Sequence, residues 1–363
     1  MPPLVQFLLR RAISIVATLV IVTAVLYGLI ALAPPEKRAA LYLSKRAQQA
    51  LEGYYPPNLV AQFIREYGLN DPFPVQYLRW ASRIVQGDWG WSPLLRDDVF
   101  HALTIRTPMT AELTLYSLLL LVPLGLVSGV TAAARRDRGP DHRFRLTAFV
   151  ATSIPPFVLA FVLLSIFYVG LRWFPPGRLS PDMERVVNSD SFQTFTGLLT
   201  IDGLLNGRAD LALDALRHLA LPILTLSVSH WATLGRVTRA LMIEELDSEY
   251  VTSARARGLP ERRVVWQHAL RNALAPALTN TALTAASLVG GVYIVEAIFD
   301  LPGISDLITG SFGSIPGFYV GVPDATIVMG FAVYTILVVL AVLLVFDILQ
   351  LIVEPRLREG VRT

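Results

Sequence analysis

Few residues of this chain combine a reactive side chain with a spacing that would support chemistry. The 363-residue sequence contains no cysteine, which excludes disulfides, thiolate nucleophiles and cysteine-ligated metals. His230 lies in an apolar stretch, but no second metal ligand follows at helical spacing. A Walker A loop needs a lysine after a glycine-rich turn, and neither Lys37 nor Lys45 has that context. We therefore expect no catalytic residue, no metal site and no bound nucleotide in this chain.

Two carboxylates, Glu296 and Asp347, fall in or beside apolar stretches. An ionisable residue at membrane depth suggests a function by default. Both residues are close to the ends of their stretches, which favours anchoring at an interface or helix capping. For His230, buried hydrogen bonding is favoured over a proton or metal site.

One polar stretch predicts a short helix, a turn and a second helix. It reads Glu249-Tyr250-Val251-Thr252-Ser253-Ala254-Arg255-Ala256-Arg257-Gly258-Leu259-Pro260 and continues to His268-Ala269-Leu270-Arg271-Asn272-Ala273-Leu274-Ala275-Pro276. Glu249 suits the positive end of a helix dipole, and Gly258 is a natural helix terminator. Pro260 fits the first position of the next helix.

The side chains of this stretch leave two interpretations open. Arg255 and Arg257 keep it in water or at the lipid headgroups, whereas Ala254, Ala256 and Gly258 are small enough for another protein to approach the backbone closely. A rigid helical hairpin tied to membrane spans at both ends could transmit motion. An ordinary amphipathic loop on the membrane face is the alternative.

The elements that would position this hairpin are membrane spans. The chain is 53% hydrophobic and only 16% charged, against about 25% charged residues in soluble domains. A spanning helix needs about 20 mostly apolar residues. Six stretches qualify: 12–33, 113–134, 146–171, 219–235, 276–299 and 325–346. The fourth is the weakest, and it extends to 242 if two arginines are tolerated. We predict an all-α membrane protein with six transmembrane helices.

The first span has a rival interpretation, a cleaved signal peptide. Secretory apolar cores run to about 15 residues, and this stretch is longer, which favours a retained helix. More than half of the Lys and Arg residues fall in four short segments, which the positive-inside rule assigns to the cytoplasm with both termini: 1–11, 135–145, 236–275 and 355–363.

The predicted domain organisation follows from these spans. An N-terminal tail and first helix (1–33) precede an extracytoplasmic region (34–112) with helical patterning around 38–51, 58–67 and 75–85. A five-helix core (113–355) follows, with an outside loop at 172–218 and a cytoplasmic loop at 236–275, and a cytoplasmic tail (356–363) ends the chain. The outside segments either cap the bundle and contact a partner or are merely tolerated by the fold.

The hairpin resembles the cytoplasmic coupling loop, or EAA loop, of binding-protein-dependent ABC importer permeases. Tyr250-Val251 with Ala254-Arg255-Ala256-Arg257-Gly258-Leu259, followed by His268, Leu270-Arg271-Asn272-Ala273 and Pro276, is similar to the dipeptide/oligopeptide branch. Thr252 and Ser253 replace the first two residues of the Glu-Ala-Ala pattern, as is typical of that branch. Further similarities lie along the chain at Tyr67–Pro72, Gly87–Gly90, Pro123, Ser153–Pro155, His218-Leu219, Pro302-Gly303 and Glu354-Pro355-Arg356.

The resemblance implies a set of partners and places ATP chemistry outside this chain. Such permeases pair with a homologous second permease, two cytoplasmic ATPase subunits and an extracytoplasmic solute-binding protein in a prokaryotic inner membrane. Glu249, Tyr250, Val251, Ala254, Arg255, Ala256, Gly258 and Leu259 would contact an ATPase, and His268, Leu270, Arg271, Asn272 and Pro276 would form the second helix of the loop. ATP and Mg would bind the partner subunits, and no nucleic acid is expected.

Cargo and transporter class have stated alternatives. Relatives with this loop also carry nickel chelates or oligosaccharides, and departures at 172–218 and 312–322 put the substrate class in doubt. An ion-coupled secondary transporter would favour carboxylates at mid-membrane and inverted repeats, neither of which is found. A membrane-embedded enzyme would need paired acids or histidines within the spans.

Overall fold

The computed structural model describes residues 3–39, 57–92, 95–311 and 325–353, and 80% of the structure is helical. The all-α membrane class predicted from the sequence is confirmed. The helices are α1 (Pro3–Ala31), α2 (Pro35–Arg38), α3 (Pro57–Glu66), α4 (Phe73–Val85), α5 (Val99–Ala134), α6 (Gly139–Ser153), α7 (Pro156–Leu163), α8 (Pro181–Val187), α9 (Leu199–Leu205), α10 (Ala209–Leu246), α11 (Glu249–Ala256), α12 (Glu261–Arg263), α13 (Leu270–Ile298), α14 (Ser305–Ser311) and α15 (Ala325–Val353).

Two π-helical stretches and one small β-hairpin complete the described elements. Leu164–Gly170 continues α7, and Val264–Ala269 joins α12 to α13. The strands β1 (Trp91–Ser92) and β2 (Asp97–Asp98) pair antiparallel just before α5. The predicted helix around 38–51, the departure at 312–322 and the motif at 354–356 lie largely or wholly outside the described residues.

Five helical segments of the described chain are long and apolar enough to cross a membrane, and a bent pair gives a sixth candidate. The five are Leu9–Ala31, Val99–Ala134, Ala209–Leu246, Glu261–Ile298 and Thr326–Gln350. The fourth predicted span extends past 242, as the sequence allowed, because α10 continues through both arginines to Leu246.

The third predicted span is broken, and this corrects the continuous stretch at 146–171. The helical segments Gly139–Ser153 and Pro156–Gly170 meet at an angle of 96°. Ile154 is extended, with φ −95° and ψ 118°, and Pro155 follows at φ −57° and ψ 140°. A proline disfavours the helical conformation of the residue before it and donates no backbone hydrogen bond, so the Pro155-Pro156 pair ends one helix and starts another.

The described residues form two compact units. The first comprises Met1–Pro108 and Gly303–Leu340. Within it, α4 packs on α1 through an aromatic cluster in which buried Tyr27 contacts Phe73, Tyr77 and Trp80. The hydroxyls of Thr23 and Tyr77 lie 2.9 Å apart and add a polar link between the same two helices.

The second unit comprises Met109–Pro302 and Ala341–Thr363. Helix α10 is its central element and packs against α6, α7, α9 and α13. Helices α5 and α10 approach closely where Gly129 faces Gly235: a Cβ at Gly129 would lie 2.6 Å from the Gly235 carbonyl oxygen. Small residues allow such contacts between membrane helices, whose association gains little from the hydrophobic effect.

Candidate coupling site

The polar hairpin folds as a short helix, a glycine turn and a second helix. Ser248 is extended at φ −75° and ψ 155°, and α11 begins at Glu249. Gly258 has φ +76°, a conformation that costs little only for glycine, and follows Arg257, the C-cap residue of α11. Pro260 is the extended residue before the second helix, which begins at Glu261, one residue later than the sequence predicted.

An apolar cluster fastens the hairpin to the ends of two long helices. Val251 and Ala254 on α11 are buried in it, and partly buried Leu259 packs against it. Its other buried members come from α5, α10 and the second helical segment of the hairpin, which runs from α12 through the π-helical stretch into the start of α13. They are Val130, Ala133, Met242, Leu246, Val264, Val265, Ala269 and Ala273. Because full burial of one valine side chain contributes about 1.5–3 kcal/mol, this cluster holds the hairpin firmly against α5 and α10.

The position of Ala254 corrects an expectation from the sequence. From the sequence, its small side chain is expected to let a second protein approach the backbone. In the structure, Ala254 is only 1% exposed because it packs inside this chain. Ala256 and Gly258 are exposed. The three small residues therefore divide between an internal contact and the free face.

Hydrogen bonds at the rim fix the ends of α11. The Tyr250 hydroxyl donates to Glu245 at 2.6 Å. Burial and this hydrogen bond together raise the pKa of the Tyr250 phenol, and a hydrogen bond with Asn272 acts in the opposite direction. Arg255 donates to both carboxylate oxygens of Glu261, at 2.8 and 3.1 Å, across the turn.

The second helical segment contributes both packing and exposed polar groups. His268 and Leu270 are half-buried, and Leu270 packs against the apolar cluster. Arg271 and Asn272 are exposed, and Asn272 reaches Tyr250 of the first helix. Pro276 is exposed inside α13, which continues without interruption to Ile298.

The free face of the hairpin is polar and open. It carries Glu249, Tyr250, Thr252, Ser253, Arg255, Ala256, Arg257 and Gly258. A Cβ on Gly258 would meet no atom within 4 Å. This arrangement can carry a force, because the exposed hairpin is anchored by apolar packing at the ends of α5 and α10.

Sequence reasoning missed an ion pair beside the hairpin. Asp141 at the start of α6 is buried and accepts two hydrogen bonds from Arg239 on α10, at 2.6 and 2.7 Å. Asp141 also accepts from the backbone N–H of Asp137 at 3.0 Å. In the sequence, Arg239 only interrupts the fourth span. Its position among apolar residues was the signal that it needed a carboxylate partner.

A second missed cluster lies on the N-terminal half of α5, away from the hairpin. Fully buried Glu112 accepts hydrogen bonds from the Arg178 guanidinium and from the backbone N–H and hydroxyl of Thr200. It fastens the 172–218 segment to α5, which agrees with the interpretation of that segment as a cap. In the sequence, Glu112 only marks the boundary of the charge-free stretch that follows it.

The three ambiguous residues named from the sequence have distinct environments. Glu296 is fully buried and accepts a hydrogen bond of 2.5 Å from the Thr110 hydroxyl, so anchoring at an interface does not describe it. His230 donates to the Leu226 carbonyl oxygen at 2.9 Å, in agreement with the hydrogen-bonding interpretation. Asp347 is half-buried in α15.

Comparison with known proteins gives matches along nearly the whole chain. The profile of a family described as "Binding-protein-dependent transport system inner membrane component" matches residues 122–359, and that of its N-terminal region matches 4–114. The di/tripeptide transport system permease protein DppB of Pseudomonas aeruginosa is 32% identical over 98% of this chain and 99% of its own length.

Two further relatives have comparable similarity. The oligopeptide transport system permease protein AppB of Bacillus subtilis is 31% identical over 97% of this chain and 98% of its own length. The probable D,D-dipeptide transport system permease protein DdpB of Escherichia coli is 32% identical over 96% of this chain and 95% of its own length.

Proposed function

The chain belongs to the family of inner membrane components of binding-protein-dependent transport systems, and from this premise we propose that it is a permease subunit of an ATP-driven importer of di- and oligopeptides. It is a multi-pass protein of the inner membrane and a transport subunit. The names of its relatives support a peptide cargo. The observation that carries the coupling role is the hairpin, with an exposed polar face and a buried apolar attachment.

The proposed complex contains four kinds of component. A homologous second permease completes the translocation path, two cytoplasmic ATPase subunits drive it, and an extracytoplasmic binding protein delivers the peptide. The sequence has no Walker A pattern, which supports assigning ATP and Mg to the ATPase subunits. The concentration of basic residues in 1–11, 135–145, 236–275 and 355–363 supports cytoplasmic termini and a cytoplasmic hairpin.

The proposed coupling residues divide according to their exposure. Glu249, Tyr250, Arg255, Ala256 and Gly258 form the face that docks on the ATPase. Val251, Ala254 and Leu259 hold that face to α5 and α10. His268, Leu270, Arg271, Asn272 and Pro276 belong to the second helical segment, which leads directly into membrane helix α13. Movement of the ATPase subunits would thus reach α10 and α13 through short, well-packed connections.

A matched pair of glycine variants tests this function. We expect Gly258→Arg to abolish ATP-dependent uptake of labelled di- and tripeptides into proteoliposomes holding the full complex, because the added side chain stands on the docking face. Gly207→Arg is the control. Gly207 is also exposed and has φ +70°, and a Cβ added there would meet no atom within 4 Å, but it lies far along the chain between α9 and α10.

The outcomes separate coupling from cargo. Both variants should reach the membrane in normal amounts, and Gly207→Arg should retain uptake. Uptake by Gly258→Arg equal to that of the control would refute the coupling role. A wild-type complex that imports a nickel chelate or an oligosaccharide but no peptide would refute the cargo alone.

A further inference from the structure

A basic groove lies between α6 and α10, outside the docking face of the hairpin. Its volume is about 650 Å³. Its lining combines basic and apolar side chains, and the residues that matter here are His142, Arg145, Arg236, Arg239, Leu146 and Phe149. All six belong to the second unit.

The arginines of the groove carry positive charge that is only partly neutralised by the residues the structure describes. Arg239 is balanced by Asp141, whose two oxygens it engages. Arg145 and Arg236 are exposed, and among the described residues neither has a carboxylate within ion-pairing distance; Arg145 has only a longer-range attraction to Asp141. His142 uses its Nδ1 to donate to the Arg138 carbonyl oxygen. The groove therefore has two guanidinium groups free to bind an anion.

The apolar lining residues follow Arg145 along α6. Leu146 and Phe149 are 65% and 66% exposed, and their spacing puts them on one face of the helix next to Arg145. Helix α6 is the first half of the bent membrane-spanning pair. The groove thus presents cations and then an apolar surface along the direction in which the chain enters the bilayer.

We propose that this groove binds an anionic phospholipid, with its phosphate between Arg145 and Arg236 and an acyl chain on Leu146 and Phe149. The guanidinium fork matches phosphate oxygens, and basic pockets between helices at the cytoplasmic side of a membrane suit anionic headgroups. A soluble phosphate ion would gain nothing from the exposed leucine and phenylalanine. The bound lipid would join α6 to α10 a few turns before α10 reaches the hairpin.

Lipid retention by the full transporter complex tests this site. The complex is reconstituted in nanodiscs of phosphatidylcholine mixed with phosphatidylglycerol. It is then released from the nanodiscs, and native mass spectrometry measures how many lipid molecules remain bound to it. We expect Arg145→Gln/Arg236→Gln to weaken retention of phosphatidylglycerol by about thirtyfold. The control Arg135→Gln/Arg143→Gln removes the same charge from exposed positions outside the groove and should change retention less than about twofold. Equal loss in both double variants would overturn the site.

A thiol probe distinguishes the lipid from other occupants. The chain has no cysteine, so Leu146→Cys gives it a single reporter. Its reaction with a water-soluble maleimide should be slower in discs with phosphatidylglycerol than in phosphatidylcholine alone, whether or not inorganic phosphate is added. Equal protection by inorganic phosphate in phosphatidylcholine discs would show an ion site and overturn the proposal. Protection that depends on the ATPase subunits and not on the lipid would show a protein contact and also overturn it.

The effect on transport rests on the proposed function, whereas the binding test does not. If α10 carries motion to the hairpin, phosphatidylglycerol should raise the ATP-dependent uptake of the wild-type complex and of the control double variant, but not that of Arg145→Gln/Arg236→Gln. Lipid retention without any uptake in the wild type would refute the transport function and leave the lipid site standing.

Discussion

The two ends of the second unit hold their polar segments by different kinds of contact. At the hairpin end, Val251 and Ala254 are buried among apolar side chains, and the ion pair between Arg255 and Glu261 lies on the exposed rim. At the other end, the pair between Glu112 and Arg178 is itself buried. The hairpin is attached mainly by apolar packing, whereas the 172–218 segment adds a buried ion pair to its apolar contacts.

The difference in contacts implies a difference in mechanical behaviour. Apolar packing is non-directional, so the hairpin can shift slightly with α5 and α10 and remain attached. A buried ion pair works only in one geometry, because removing either partner leaves an uncompensated charge. We infer that the 172–218 segment keeps a fixed position on α5, whereas the hairpin can move slightly with α5 and α10 and remain attached to them.

The largest effect should come from breaking the buried pair. Arg178→Met should destabilise the second unit by about 3–5 kcal/mol, because Glu112 stays buried without its cation. Thermal unfolding of the purified complex, followed by tryptophan fluorescence, measures the loss. The control Arg185→Met breaks the pair with Asp182, whose side chains are 79% and 81% exposed, and should leave the melting temperature unchanged.

A double variant sharpens the same test. Glu112→Leu combined with Arg178→Met removes both charges and should recover most of the lost stability, because a well-packed apolar pair can replace a buried ion pair. No recovery would indicate that the hydrogen bonds from Thr200 to Glu112, rather than the ion pair, hold the segment.

An intermediate effect should separate the two faces of the hairpin. Ala254→Asp puts a carboxylate into the apolar cluster at a cost on the order of 3 kcal/mol and should release α11. Trypsin should then cut rapidly after Arg255 and Arg257. Ala256→Asp places the same charge two residues away on the exposed face and should leave the hairpin resistant while lowering uptake. Equal trypsin sensitivity would contradict the assignment of the buried face.

The smallest effect should come from the exposed rim. Arg255→Gln removes the ion pair between Arg255 and Glu261, whose side chains are 41% and 59% exposed, respectively. The free energy of unfolding should fall by about 0.5 kcal/mol or less. Unfolding of the complex should be nearly unchanged, and raised salt should have little further effect on the variant. Because Arg255 belongs to the proposed docking face, uptake should fall even though stability is nearly unchanged. A large loss of stability would contradict the assignment of this ion pair to the exposed rim.

Local chemistry explains what the sequence predicted correctly. The turn at Gly258 and the start of α11 at Glu249 depend on neighbouring residues, and the spans depend on long apolar runs. The bend after Ser153 could be predicted only in part from the sequence. The prolines were visible, but an apolar run does not distinguish one straight helix from two.

Long-range contacts explain what the sequence did not predict. The burial of Ala254 depends on Val130 and Ala133, which lie more than a hundred residues earlier in the chain. Glu112 finds Arg178 only after the outside segment folds back. The sequence shows the charge and size of each residue, but it does not show whether that residue faces the interior or the surface.

The exposed face of the hairpin is proposed to dock on an ATPase subunit while its buried face stays in this chain. Because the chain has no cysteine, Ala256→Cys and Gly207→Cys each provide one thiol, whose maleimide labelling rate can be measured in the permease pair with and without ATPase subunits. We predict that the ATPase subunits slow labelling at Ala256→Cys by about tenfold or more and leave Gly207→Cys unchanged. Equal labelling rates at Ala256→Cys with and without the ATPase subunits would contradict this docking.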